Sequence, residues 1–308
     1  MSWYPLALPP QAGRRYLVTG GNRGLGFFTA ARLVGAGAHV VLSGRSPDRL
    51  AAAVAAIRGA MPAARGAVET LVIDHSSLAS VEAGAARLVA GPPLHGIAAN
   101  AGLVHPPRTR LESADGNELV LATNLLGNFA LFRALLPGLA PSARIVSLGS
   151  LSSRLSTFRI DDLQLTRGYD SWRAYAQSKI ATQVLGFELD RRLRAAGMPV
   201  ASVVAHPGYS ISGRTPTVPG VNEPSRAKRF IDALQGPWVQ GKHRGAEVVL
   251  HALTAPGVEG GQFWGPRFLS CGEPTLQTPT RISTDVDAGA RLWAFAEAAT
   301  DRSFTVGA

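Results

Sequence analysis

Cysteine is all but absent from this chain, with Cys271 the only one among 308 residues. That excludes a disulfide framework and a thiol-based metal site. Lysine is scarce too, occurring only at Lys179, Lys228 and Lys242, so the formal net charge of +10 is carried almost wholly by arginine. The arginines are scattered, with acidic residues between many of them, which is the pattern of solvated faces and argues against nucleic acid as a partner. No run of about 18 apolar residues free of charge occurs, so no membrane span is expected. Residues 1–10 lack the basic start and unbroken apolar stretch of a signal peptide, and the expectation is a cytoplasmic protein. Charged residues make up only 17% and apolar ones 46%, which implies a large core and excludes disorder.

What is present is an alternation of short apolar runs and amphipathic stretches of helical length. The apolar runs lie at residues 16–18, 39–42, 68–73, 96–99, 144–148 and 200–204. Helical patterns fall between them at 25–37, 47–59, 77–90, 117–136 and 175–196. Strand and helix alternating at this spacing predict an α/β fold, a doubly wound parallel sheet of Rossmann type with helices on both faces. Right-handed crossovers then bring the carboxyl ends of the strands, and any ligand site, to one edge. Residues 1–13 read as an extension and 14–308 as one domain. Residues 209–244 are rich in proline, glycine and charge, with one short helical pattern near 223–234, and read as a lid over the site. A strand near 261–264 and a helix near 287–299 complete the expected fold.

Two clusters carry the chemistry. Thr19-Gly20-Gly21-Asn22-Arg23-Gly24-Leu25-Gly26 follows a strand and opens a helix. Glycines there permit positive φ and a close approach of backbone to a pyrophosphate, and the helix start supplies N–H groups and a favourable dipole. The second strand ends in Gly44-Arg45, where an acidic residue would bind the ribose hydroxyls of NAD and repel a 2′-phosphate. With Arg45 here and Arg23 in the turn, two guanidiniums and no carboxylate suit NADP(H). The second cluster is Tyr175-Ala176-Gln177-Ser178-Lys179. Residues i and i+4 of a helix share a face, and an ammonium there would lower the phenol from about 10 toward neutrality, making Tyr175 an acid/base.

In these clusters the chain resembles the classical branch of the short-chain dehydrogenase/reductase family, over roughly residues 14–253. Asn100-Ala101-Gly102 is similar to the family's Asn-Ala-Gly element, Asp74 to its adenine contact, and Pro207-Gly208 followed by Ser212 to its segment against the nicotinamide. The resemblance implies cofactor contacts at Gly20, Asn22, Arg23, Gly24, Leu25, Gly26, Arg45, Asp74, His75, Asn100, Ala101, Gly102, Lys179, Pro207, Gly208, Ser210 and Ser212. It implies a catalytic set of Asn124, Ser150, Tyr175 and Lys179, with Ser152 and Ser153 as alternatives to Ser150. The interval from Ser150 to Tyr175, together with Asp115-Gly116-Asn117-Glu118 and Asp161-Asp162-Leu163, is similar to the retinol-dehydrogenase-like and protochlorophyllide-reductase-like subgroup.

The implied reaction is hydride transfer between NADPH and the carbonyl carbon of a ketone or aldehyde, or its reverse. Ser150 would polarise the oxygen, Tyr175 donate the proton, Lys179 lower the tyrosine pKa, and Asn124 hold a water that links Lys179 to solvent. Phe158, Trp172, Tyr209, Phe230 and Trp238 would wall the pocket, which suits a bulky lipophilic or aromatic substrate. The same residues would also serve imine or double-bond reduction, dehydration or epimerisation. A non-catalytic NADP sensor is the alternative of another class. The expected assembly is a monomer or homodimer.

Overall fold

The computed structural model describes residues 8–307. The first seven residues of the expected extension therefore lie outside the described residues. Ten strands and nine α-helices follow in chain order among those described. They are β1 (Arg15–Thr19), α1 (Gly24–Gly35), β2 (His39–Gly44), α2 (Pro47–Ala60), β3 (Ala67–Val72), α3 (Leu78–Val89) and β4 (Leu94–Ala99). Next come α4 (Leu119–Leu121), α5 (Gly127–Leu135), β5 (Leu139–Leu148), α6 (Ser171–Ala195) and β6 (Val200–Ala205). The remainder is β7 (Ser210–Ile211), α7 (Arg226–Leu234), β8 (Gln240–Gly241), α8 (Lys242–Thr254), β9 (Phe263–Pro266), β10 (Pro274–Leu276) and α9 (Val286–Thr300).

Eight strands form one sheet in the order β10-β9-β6-β5-β4-β1-β2-β3, parallel except for the antiparallel edge pair β9–β10. The order reverses between β1 and β4, which pair in parallel at Tyr16–Gly96 and its neighbours. A ligand crevice opens at such a switch point, beyond the carboxyl ends of the two strands. Two apolar layers cover the sheet. One joins α1, α2 and α8 through Phe27, Phe28, Leu50, Ile57, Val249 and Leu253. The other joins α3, α5, α6 and α9 through Val81, Phe129, Phe132, Val184, Leu189 and Trp293. The expected doubly wound architecture is thus what forms.

Local signals set the helix starts. Ser46, Ser77, Asp170 and Asp285 accept from the amide three residues on, capping α2, α3, α6 and α9. The expected helix over 117–136 is interrupted: α4 passes through a π-helical turn at Ala122–Leu126 before α5. This stretch, Leu119–Gly138, is long and apolar enough to cross a membrane, but 78% of its most apolar window is buried in the fold, as a core helix requires. The lid contains what its irregular composition hides: β7 and β8 pair in parallel, and a long helix, α8, begins at Lys242. The edge strand β10 was likewise not legible, being three residues long and half exposed.

Candidate active site

The glycine turn is held against the end of β4 by side chains. Asn100 Nδ2 donates to the carbonyls of Thr19 and Gly20, at 2.8 and 3.2 Å, and the Ala101 amide donates to Thr19 Oγ1 at 2.9 Å. Gly20 has φ +62°, and a methyl on it would lie 3.0 Å from Ala101 Cα and Asn100 Nδ2. Gly26 cannot carry a side chain either, since Cβ would fall 2.6 Å from the Gly20 carbonyl oxygen. The start of α1 is left open: Arg23, its N-cap, makes no capping hydrogen bond, and no acidic residue stands in the first turn. A helix start with no side-chain cap and no carboxylate suits an anion. The residues present therefore fit the pyrophosphate of a dinucleotide.

The other expected cofactor residues have their own local contacts. Asn22 lies beside the backbone of Gly44, where a Cβ would come 3.1 Å from its Oδ1. Arg23 and Arg45 are both exposed. Asp74 Oδ1 accepts from the Ser76 amide and hydroxyl, at 2.9 and 2.7 Å, fixing the loop after β3. His75 instead turns its ring inward. It is 5% exposed, both ring nitrogens lack a partner among the described residues, and burial takes its pKa down to about 4. Gly208 packs with φ +66° against Ser270, and Ser210 Oγ donates to the Pro207 carbonyl at 2.8 Å. The Ser212 carbonyl accepts from the Thr215 amide at 3.0 Å.

On the other side of the crevice, Tyr175 and Lys179 stand one turn apart on α6, which continues along β5. The Tyr175 hydroxyl donates to Ser150 Oγ at 3.4 Å. Among the serines after β5, it is Ser150 that the structure brings to the tyrosine. Ser153 instead donates to the Ser150 carbonyl at 2.7 Å, and Ser152 Oγ is buried without a partner among the described residues. Lys179 is buried, and its Nζ donates to the Leu148 carbonyl at 2.8 Å. Burial lowers its pKa to about 8. The expected lowering of Tyr175 by this ammonium does not appear. Burial raises the phenol, and the hydrogen bond with Ser150 is what opposes it.

Asn124 lies inside the π-helical turn, a distortion often found at functional sites. Its Oδ1 accepts from the Leu103 amide at 2.6 Å, and its Nδ2 donates to Ser178 Oγ at 2.8 Å. Its main-chain carbonyl accepts from Asn128 Nδ2 and Thr182 Oγ1, at 2.8 and 3.2 Å. These bonds brace α6 against the loop after β4. They give Asn124 a bracing role in the structure. Gly102 completes the corner: a Cβ there would lie 3.1 Å from Asn124 Oδ1 and 3.7 Å from Lys179 Nζ.

Sequence reasoning missed two further residues. Gln183, fully buried and two turns beyond Tyr175, donates to the Ser150 carbonyl at 3.3 Å and to Ser153 Oγ at 2.8 Å. Its Oε1 accepts from Ser283 at 2.8 Å, which ties the serine loop to the segment before α9. The signal was its i, i+4, i+8 register with Tyr175 and Lys179. The second is Lys242, whose Nζ would lie 3.8 Å from a Cβ on Gly24. Burial and the neighbouring charges of Arg23 and Lys228 lower its pKa. It arrives from the far end of the lid, and only its rarity as a lysine marked it out.

The expected pocket walls disperse. Phe158 packs on the core layer of α6, while Trp172 and Tyr209 are about half exposed. Phe230 and Trp238 face solvent. Of the five, only Phe158 packs against the core.

A family model described as short chain dehydrogenase matches residues 14–217. The chain belongs to that family. It is therefore an oxidoreductase of a family that uses a nicotinamide cofactor, and the resemblance seen in the motifs is confirmed. Mouse polyprenol dehydrogenase is 36% identical over 94% of this chain and 84% of its own length. Mouse retinol dehydrogenase 14 is 30% identical over 92% of this chain and 85% of its own. These relatives agree with the retinol-dehydrogenase-like pattern and support redox chemistry at an alcohol or carbonyl carbon. A crystal structure of an uncharacterised protein from Mycobacterium paratuberculosis superposes with a TM-score of 0.77 at 32% identity, covering 96% of this chain and 97% of that one.

Proposed function

We propose that this oxidoreductase is an NADPH-dependent reductase that transfers hydride to a ketone or aldehyde of a bulky lipophilic compound, and catalyses the reverse oxidation of the alcohol. The observation that carries the reading is the 3.4 Å contact of the Tyr175 hydroxyl with Ser150 Oγ, one helical turn from buried Lys179 and across the crevice from an uncapped glycine turn. The open start of α1 and Lys242 would hold the pyrophosphate. Arg23 and Arg45, with no acidic residue at the end of β2, would hold a 2′-phosphate. Asp74, Asn100, Ala101, Gly102, Pro207, Gly208, Ser210 and Ser212 would supply the remaining cofactor contacts.

NADPH, when bound, would supply the hydride for the carbonyl carbon. The chain's own groups act on the oxygen. Ser150 donates a hydrogen bond to it as negative charge develops, which favours the transition state over the ground state. Tyr175 delivers the proton, so the carbonyl becomes an alcohol. Lys179, with a pKa of about 8, holds a proton near neutrality that can replace the one lost. Asn124 and Gln183 keep α6 and the serine loop in register. The named substrates of the relatives, a polyprenol and retinol, are lipophilic alcohols and support a substrate of that kind.

The test is a titration with NADPH and NADH, followed by nucleotide oxidation against retinal, a polyprenal and small aromatic ketones. Preferred binding of NADPH with turnover of any of these is expected. Tight binding with no turnover would favour a sensor, and binding of neither nucleotide would sink the reading.

A further inference from the structure

Helix α7 is built inside out. In Arg226-Ala227-Lys228-Arg229-Phe230-Ile231-Asp232-Ala233-Leu234, helical periodicity places Ala227, Phe230, Ile231 and Leu234 on one arc and Arg229 and Asp232 opposite. A surface helix ordinarily turns its apolar arc to the core. Here the polar arc is turned in. Asp232 is fully buried, accepting from the Gly213 amide at 2.8 Å and pairing with Lys228. Arg229 donates to the Gly213 carbonyl at 3.2 Å. The apolar arc faces solvent: Phe230 is 67% exposed, Ile231 57% and Leu234 71%, with Trp238 70% exposed just beyond.

Segments bonded to one another beyond the helix also expose aromatic side chains. The Gln240 amide donates to the Tyr209 carbonyl at 3.0 Å, and the Tyr209 amide to the Ser270 carbonyl at 2.7 Å. These bonds stitch the Trp238 and Tyr209 segments to the loop that exposes Phe268. Connected exposed apolar side chains of this kind mark an interaction surface.

The charge around it selects the occupant. Arg226 and Lys228 flank the apolar arc on either side, Arg214 is exposed and donates to the Gly236 carbonyl, and Arg267 lies over the Phe268 ring. Glu223 and Glu273 are the exposed acidic residues of these segments, and the whole chain carries +10. A second copy seated on this face by a two-fold axis would set its cations against the same cations. An anionic bilayer accepts the apolar arc and attracts the arginines, as amphipathic surface helices with basic flanks and tryptophan do.

We propose that the outward face of α7 docks the lid on an anionic lipid surface. The purpose rests on the reading of a lipophilic substrate, which partitions into the bilayer, whereas the docking itself needs neither substrate nor nucleotide. The two readings can therefore fail separately.

The test is cosedimentation of the nucleotide-free protein with vesicles of phosphatidylcholine and phosphatidylserine in equal parts, and with phosphatidylcholine alone. The protein should pellet with the mixed vesicles and release as salt is raised. Ile231→Ser with Leu234→Ser should lower partitioning at least about tenfold while the near-UV circular dichroism is kept. Arg226→Glu, at a side chain outside the core, should weaken binding at low salt. Wild-type protein that stays in the supernatant with both vesicle types, or a double variant that pellets as well as wild type, overturns the proposal. So does a wild-type dimer that the double variant converts to monomer, which would give the face to a second copy.

Discussion

Asn124 and Ser178 are joined by a 2.8 Å hydrogen bond, amide to hydroxyl, that ties the π-helical turn to the helix bearing Tyr175 and Lys179. The oxygen of that side-chain amide accepts from the Leu103 amide, so one side chain sets the spacing between α6 and the loop after β4. Asn124→Ala leaves a buried amide and a hydroxyl without their partner, which costs about 1–3 kcal/mol. Turnover should fall at least about tenfold, because positions near the reacting atoms then drift. Urea unfolding and kcat at saturating NADPH check both. Ser178→Ala, which removes one bond of the set, should cost less on each. Full activity in Asn124→Ala would reject the bracing role.

Tyr175→Phe keeps the ring and removes the proton donor. The variant should bind NADPH as wild type does and lose about 10²–10⁴ in turnover, the usual worth of general acid catalysis. Single-turnover kinetics on a ketone substrate measure this directly. Retained turnover would move the chemistry elsewhere.

That pair was legible because a tyrosine and a lysine four apart on a helix must share a face, whatever the rest of the chain does. The parallel sheet was legible for a similar reason, from apolar runs spaced by helical patterns. Lys242 was not, since it reaches Gly24 through the path of the lid, which no local pattern encodes. The π-helical turn at Asn124 leaves no mark in an apolar stretch that reads as one helix. In α7 the sequence does show two faces, but which one turns inward is decided by where Asp232 finds the Gly213 amide. Phe230, expected in the pocket, is exposed for that reason.

The nucleotide preference separates two cations. On the proposed reading Arg45 would meet the 2′-phosphate that distinguishes NADPH from NADH, so Arg45→Asp should weaken NADPH about tenfold or more and leave NADH little changed. Lys242, beside Gly24, would meet the pyrophosphate that the two nucleotides share. Lys242→Ala should weaken both by a similar factor. Fluorescence titrations of the two variants with the two nucleotides give four affinities, and an Arg45→Asp protein that still prefers NADPH would remove Arg45 from the site.

Lys179 sets a pH limb. Its buried ammonium has a pKa of about 8, so the proton it holds is lost as pH rises through that value. Ketone reduction should therefore slow above about pH 8, while alcohol oxidation, which needs a proton acceptor, should not show that decline. In Lys179→Arg the limb should vanish from the accessible range, because a guanidinium stays protonated. A reduction profile unchanged by this substitution would assign the limb to another group.

Buried imidazoles should contribute to acid sensitivity. His75 is 5% exposed and His206 1% exposed, and burial is the leading cause that takes each to a pKa of about 4. Their ordinary value is about 6.5, so between pH 6.5 and 4 the unfolded chain binds protons that the folded one refuses. Stability is then complete above pH 6.5 and declines as pH falls toward 4, by up to about 3 kcal/mol for each group. His75 offers the cleaner test, because its ring nitrogens make no hydrogen bond among the described residues, whereas His206 bonds Gln277 at 3.0 Å and Gly208. His75→Leu should flatten part of the acid slope, read as the denaturation midpoint in urea at each pH, and leave the part carried by His206 and by His243, which burial also takes to about 4. A slope that stays as steep would mean that the His75 ring is solvated enough to protonate in place.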